Sequence, residues 1–172
     1  MDAEPTDTTT TAETTWVAAA PFRAHLSRLA ETTETPWQVI ALSSGVSLRE
    51  ADRLLHGRPG PGGRRRALRR ISRATAVRLL AATDAEVLAL RSTWIPAAAT
   101  CKRLAELVAR GVSPEALAAQ LGCTATSVIA LVEGAGVRGK PAPSVTLAFA
   151  LGVRAACEAA DRAAVRALSA AA

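Results

Sequence analysis

The sequence predicts an all-α fold in which one helical unit occurs twice in tandem and a C-terminal helix closes the chain. Three observations carry this. Hydrophobic residues make up 49% of the 172 residues but aromatics only 3%, with no Tyr. The apolar content therefore rests on Ala, Leu and Val, and Ala and Leu favour helix where strands prefer β-branched and aromatic residues. The second observation is an internal repeat: Ala41, Gly45, Ser47, Ala51, Leu54 and Gly57 recur 77 positions later as Ala118, Gly122, Thr124, Val128, Leu131 and Gly134. Upstream it continues with one residue of slip, pairing Trp16-Val17 with Trp94-Ile95, Leu26 and Leu29 with Leu104 and Leu107, and Thr35-Pro36 with Ser113-Pro114. Such self-similarity decides an architecture before single elements do. The third observation is that caps and glycines fall where helices should start and stop.

In chain order, residues 1–15 carry Asp2, Glu4, Asp7 and Glu13, no basic residue and little to bury, and read as a disordered, Thr-rich tail. The first unit spans 16–90. Thr35-Pro36 opens a helix with Val39, Ile40 and Leu42 on its inner face. Gly45-Val46 makes a turn, Ser47 caps the next helix, and Ala51, Leu54 and Leu55 face inward until Gly57. Residues 57–63 are too rich in Gly and Pro for helix and read as a mobile basic loop; a further helix follows at about 72–82. The second unit spans 91–152. Its helix at 96–110 ends at Gly111, Ser113-Pro114-Glu115 starts the next, Gly122 supplies a positive φ, and Thr124 caps a helix with Val128, Leu131 and Val132 inside. A helix at about 144–151 and a separate Ala-rich helix over 153–168, within a terminal segment 153–172, complete the chain.

A small residue, three others, Gly, an apolar residue, Ser or Thr, and an apolar residue six after the Gly resemble the helix-turn-helix DNA-binding pattern, present here twice. The segments Trp94 to Gly134 and Ile71-Ser72-Arg73-Ala74-Thr75-Ala76-Val77 are further similar to the tandem helix-turn-helix proteins of actinobacteria and their phages, repressors among them. The resemblance covers roughly residues 16–155 and implies duplex-DNA binding. The charge agrees with it. The whole chain nets +6, whereas Arg49 to Arg78 holds ten arginines against Glu50 and Asp52, a local 10 − 2 = +8 that leaves −2 for the rest. Charge concentrated in this way suits phosphate contact.

In the docking geometry that the resemblance implies, the N-terminal part of each second helix faces base edges. The base-reading candidates are Ser47, Arg49, Glu50 and Arg53, then Thr124, Thr126 and Ser127 in the second unit. Arg reaches both guanine acceptors and Glu accepts from cytosine. Backbone contacts are expected from Arg58, Arg64, Arg65, Arg66, Arg69 and Arg70, and from Lys102, Arg103, Arg138 and Lys140. The second reading helix, 125–133, has no basic residue, so a unit kept for packing or for a protein partner stays open beside one that reads DNA. So does a homodimer through the C-terminal helix. The leading functional expectation is a transcriptional repressor, cytoplasmic and nucleoid-associated; the alternative is a DNA-tethered adaptor for a polymerase, replication or segregation factor.

Other classes find little support. Cys101, Cys123 and Cys157 form no CxxC pair and stand far from His25 and His56, so neither a metal nor a cofactor is expected, and the thiols read as structural. No phosphate loop or nucleophile–base set suggests an enzyme. No uncharged apolar run approaches membrane-spanning length. Trp16, Trp37 and Trp94 are expected to pack in the core or between the units.

Overall fold

A computed structural model describes residues 15–134 and 144–171. The acidic tail up to residue 14, with Arg138 and Lys140, lies outside the described residues. The elements in order are β1 (Trp16–Ala18), α1 (Ala20–Thr33), α2 (Trp37–Ser43), α3 (Leu48–His56), β2 (Arg58–Pro59), a 3-10 turn (Pro61–Gly63), β3 (Arg65–Arg66), β4 (Arg70–Ser72), α4 (Arg73–Ala81), α5 (Asp84–Ala89), β5 (Trp94–Pro96), α6 (Ala98–Ala109), α7 (Pro114–Leu121), α8 (Ala125–Gly134), β6 (Ser144–Thr146) and α9 (Leu147–Ala171). The fold is all-α with a C-terminal helix, as expected, and among the described residues three two-stranded antiparallel ribbons trim it.

The repeat extends to the hydrogen-bond ladders. β1 pairs with β4 in the register Trp16↔Ser72, Val17↔Ile71, Ala18↔Arg70, and β5 pairs with β6 as Trp94↔Thr146, Ile95↔Val145, Pro96↔Ser144. Each unit thus runs strand, helix, helix, turn, helix, returning strand, helix. In both, the residue opposite the Trp caps the closing helix: Ser72 Oγ accepts from the Thr75 amide at 3.1 Å, Thr146 Oγ1 from the Phe149 amide at 3.2 Å. Strands of three residues show too little alternation to be read from sequence. They also shorten the helix expected at 96–110, which begins only at Ala98.

Both tight turns form as their glycines require. Gly45 and Gly122 adopt φ of +69° and +66°, a region that costs other residues roughly 1–2 kcal/mol. Ser47, Ser72, Thr83, Ser113 and Thr124 cap the helices that follow them. Thr35 does not. Its hydroxyl donates to the Thr33 carbonyl at 3.1 Å and its side chain is buried, so α2 starts after Pro36 without a side-chain cap.

The first core gathers Leu26, Leu29, Ile40, Val46, Leu48, Leu54, Ile71, Leu79 and Val87, and the second Leu104, Leu107, Leu117, Val128 and Val153. Each such fully buried side chain is worth about 1.5–3 kcal/mol. The units are not independent. Ala155 of α9 belongs to the first unit's core, and α9 packs along α2 as well as on α6 and α7.

Of the helix expected at 144–151, Ser144–Thr146 is strand β6 instead, and the rest is continuous with the helix expected at 153–168 as one helix, α9, which crosses the boundary drawn at 152. Gly152 is not a break. A Cβ there would lie 3.0 Å from Leu121 Cδ2, so the glycine lets α9 approach α7 closely. The expected mobile loop is also structured: β2 and β3 form a hairpin, Arg58↔Arg66 and Pro59↔Arg65, closed by Gly60 N–H donating to the Arg64 carbonyl at 2.9 Å. At Gly57 (φ +80°) an added Cβ would sit 2.4 Å from the Arg66 carbonyl oxygen. Only glycine lets the end of α3 meet the returning strand there.

Candidate nucleic-acid interface

α3 turns Ala51 and Leu54 into the core and leaves Arg49 exposed and Arg53 half-buried. Among the described residues neither guanidinium makes a hydrogen bond or ion pair, so both are available to a ligand. Ser47 and Glu50, expected beside them as base readers, work within the fold. Ser47 Oγ donates to Glu50 Oε2 at 2.8 Å and accepts from the Glu50 amide at 3.3 Å. Glu50 Oε1 accepts from Thr75 Oγ1 at 3.3 Å, and Thr75 Oγ1 lies 2.8 Å from Ser72 Oγ. This chain of polar groups ties the N-terminus of α3 to that of α4. The carboxylate near the first turn of α3 also suits its dipole. Nothing in the sequence near Glu50 reveals the tie, because Thr75 is 25 residues away.

The hairpin presents Arg58, Arg64, Arg65 and Arg66, and Arg69 and Arg70 follow it, all exposed. Arg65 leans back to Asp52 of α3 at 3.8 Å, a solvent-exposed pair of little energetic weight that nonetheless records the hairpin's position against the helix. Asp52 also holds His56 Nδ1 at 3.0 Å.

Two arginines position the site. Arg23 of α1 donates through Nε to the Leu54 carbonyl at 2.7 Å and through an Nη2 hydrogen to the Leu68 carbonyl at 3.0 Å, joining the end of α3 to the segment between the hairpin and β4. Arg78, counted with the basic window, donates to the Gly45 carbonyl at 3.2 Å and steadies the turn. Their roles depend on tertiary neighbours 31 to 45 residues away, which no local pattern signals.

The second unit places α7 and α8 at 112° to each other, within the usual range for a helix-turn-helix. Thr124 and Ser127 pair their hydroxyls at 2.8 Å and close the N-terminus of α8, while Thr126 is exposed. The remaining outward residues include Ile129, 39% exposed, and Glu133. Lys102 and Arg103 are exposed on α6. The basic surface of the first unit has no counterpart on α8.

Of the tryptophans, Trp37 packs against the first core as expected, half-buried with its ring edge-on to His56 at 5.8 Å, and the other two depart from expectation. Trp16 and Trp94 are 56% and 65% exposed, because each sits on the outward side of its ribbon opposite a capping hydroxyl. Burial raises the pKa of the Cys101, Cys123 and Cys157 thiols, which favours the neutral thiol over the reactive thiolate. Among the described residues no single helix is long and apolar enough to cross a membrane.

No protein-family model matches this chain, and neither a curated protein nor a solved structure shows significant similarity to it.

Proposed function

We propose that this chain binds double-stranded DNA with sequence preference and acts as a transcriptional regulator of the repressor kind. The observation that carries the reading is the pairing of the uncommitted Arg49 and Arg53 on α3 with a basic hairpin that returns directly against the same helix. A helix of this kind entering the major groove brings Arg49 and Arg53 to base edges, and the hairpin with Arg69 and Arg70 lies over phosphates. The duplicated turn motif and its resemblance to tandem helix-turn-helix regulators support the same reading, and a bacterial nucleoid is the setting it implies.

A second reading is favoured by one specific observation. α8 carries no basic residue and exposes Ile129, and the far end of α9 exposes Val165 and Leu168 at 63% and 74%. In this version the first unit holds DNA and the second engages a protein. A mobility-shift assay on a pool of duplexes at two salt concentrations tests the shared premise. Binding must weaken steeply with salt, by a slope of about 0.9 per phosphate neutralised. Salt-indifferent or absent binding rejects both versions, whereas binding that depends on Thr126 rejects the second alone.

A further inference from the structure

We infer that the outward face of the β1/β4 ribbon, centred on Trp16, is a second DNA contact that grips the phosphodiester backbone beside the groove entered by α3. This rests on the DNA-binding reading above and adds to it an element that carries no part of the turn motif. Trp16, Ala18, Arg70 and Ser72 share one side of the ladder, while Val17 and Ile71 turn inward. Arg70 is the diagonal neighbour of Trp16, roughly 7–8 Å away and within reach of so large a ring. Arg73 continues the same edge, its amide donating to the Thr15 carbonyl at 2.9 Å. Arg70 and Arg73 are exposed, and neither side chain makes a hydrogen bond or ion pair among the described residues. An aromatic ring more than half exposed beside uncommitted arginines combines a flat apolar face, an indole N–H donor and positive charge. That is the chemistry of a sugar-phosphate contact.

The position of the ribbon matches. Ser72, opposite Trp16, bonds Thr75, and Thr75 bonds Glu50 in the first turn of α3. One ladder step and two hydrogen bonds therefore link Trp16 to the end of α3 that faces DNA. The second unit serves as an internal control. Trp94 occupies the same ladder position, but Ser144 and Leu147 stand where the first unit has Arg70 and Arg73, and Phe149 and Ser127 replace the Thr75–Glu50 link.

The full chain contains three tryptophans, so each can be left as the sole indole. In the Trp37→Phe/Trp94→Phe variant, a duplex that shifts in the gel should also shift Trp16 emission and protect it from acrylamide. In the Trp16→Phe/Trp37→Phe variant, Trp94 should respond to neither. Trp16→Ala should weaken binding to all duplexes about tenfold, a loss of about 1.4 kcal/mol. It should leave the salt slope unchanged, because no charge is removed, whereas Arg70→Ala lowers affinity and slope together. A gel shift without any change at Trp16 overturns the inference and leaves the DNA-binding reading standing. Equal responses from Trp16 and Trp94 also overturn it, since the arginines would then be irrelevant. If the unsubstituted chain shifts no duplex at low salt, the reading fails and the inference with it.

Discussion

The two units share a skeleton and differ in their surface. Ladder register, turn glycine, capping hydroxyl and inward leucines coincide, from Leu26 and Leu104 to Ser47 and Thr124. Side chains that point outward do not: Arg49 and Arg53 stand on α3 where Thr126 and Ala130 stand on α8. The comparison teaches that the positions fixing this fold are almost disjoint from those available for binding. One architecture can therefore hold two chemistries in a single chain.

The largest expected effect tests whether the skeletons are equivalent and joined. Leu26→Ala and Leu104→Ala each remove a fully buried side chain and should each cost about 2–5 kcal/mol. Because α9 completes the first core, calorimetry should show both variants lowering one shared transition. Two separate transitions would break the comparison at its root.

Next come the surfaces. Arg49→Ala with Arg53→Ala should remove roughly 1–3 kcal/mol of discrimination for each bidentate guanine contact. Thr126→Ala with Ser127→Ala should leave selection from a random duplex pool unchanged. A selected sequence that survives the first pair but not the second would reverse the assignment of the units.

Gly45→Ala and Gly122→Ala sharpen the likeness further. An added Cβ meets nothing within 4 Å at either site, so only the left-handed backbone is penalised. The two should destabilise by equal amounts, about 1–2 kcal/mol, in denaturant titrations. Replacing Arg64 and Arg66 together by Ala should reduce the salt slope by about 0.9 for each phosphate no longer neutralised, with melting unchanged.

The smallest effect belongs to a feature of the first unit alone. The Arg28 guanidinium 2.9 Å from Asp84, helped by the Thr32 hydroxyl, holds the Asp84 carboxyl below its ordinary value of 3.8. A lowered pKa stabilises the fold above the unfolded value, and that contribution disappears as pH falls through the folded one. Asp84→Asn should therefore flatten the acid limb of a melting profile below about pH 4: the variant melts slightly lower at neutral pH, by the small amount an exposed pair contributes, and converges with the parent in acid.

Features with local causes were legible in the sequence. The turns at Gly45 and Gly122, the caps at Ser47, Ser113 and Thr124, and the inward leucines follow from steric and spacing rules that act within a few residues. The Thr83–Glu86 capping box that opens α5 is equally local, although α5 is not among the helices expected from the sequence; its Thr-x-x-Glu signature is the signal that could have found it. What escaped the sequence depends on distant partners. Gly152 looks like a helix break until Leu121 is set against it, and residues 57–63 look like a loop until the Arg66 carbonyl reaches Gly57. Glu50 looks like a free acceptor until Thr75 arrives. The exposure of Trp16 and Trp94 ran against the ordinary preference of a large ring for the interior, because the ribbons that display them were not visible in the pattern.

The placement of Ala155 in the first core also bears on how such a protein can change over evolutionary time. A gene cut between the repeats would separate the first unit from a side chain it needs, and the linker itself is held from both sides. Leu147 N–H donates to the Thr93 carbonyl, Ala148 N–H to the Leu90 carbonyl, and Arg91 to the Thr33 carbonyl. The two copies of the repeat thus form one inheritable piece. Shuffling one copy into another gene would not transfer a complete domain, so the outward surface of one unit can drift only while the other unit travels with it.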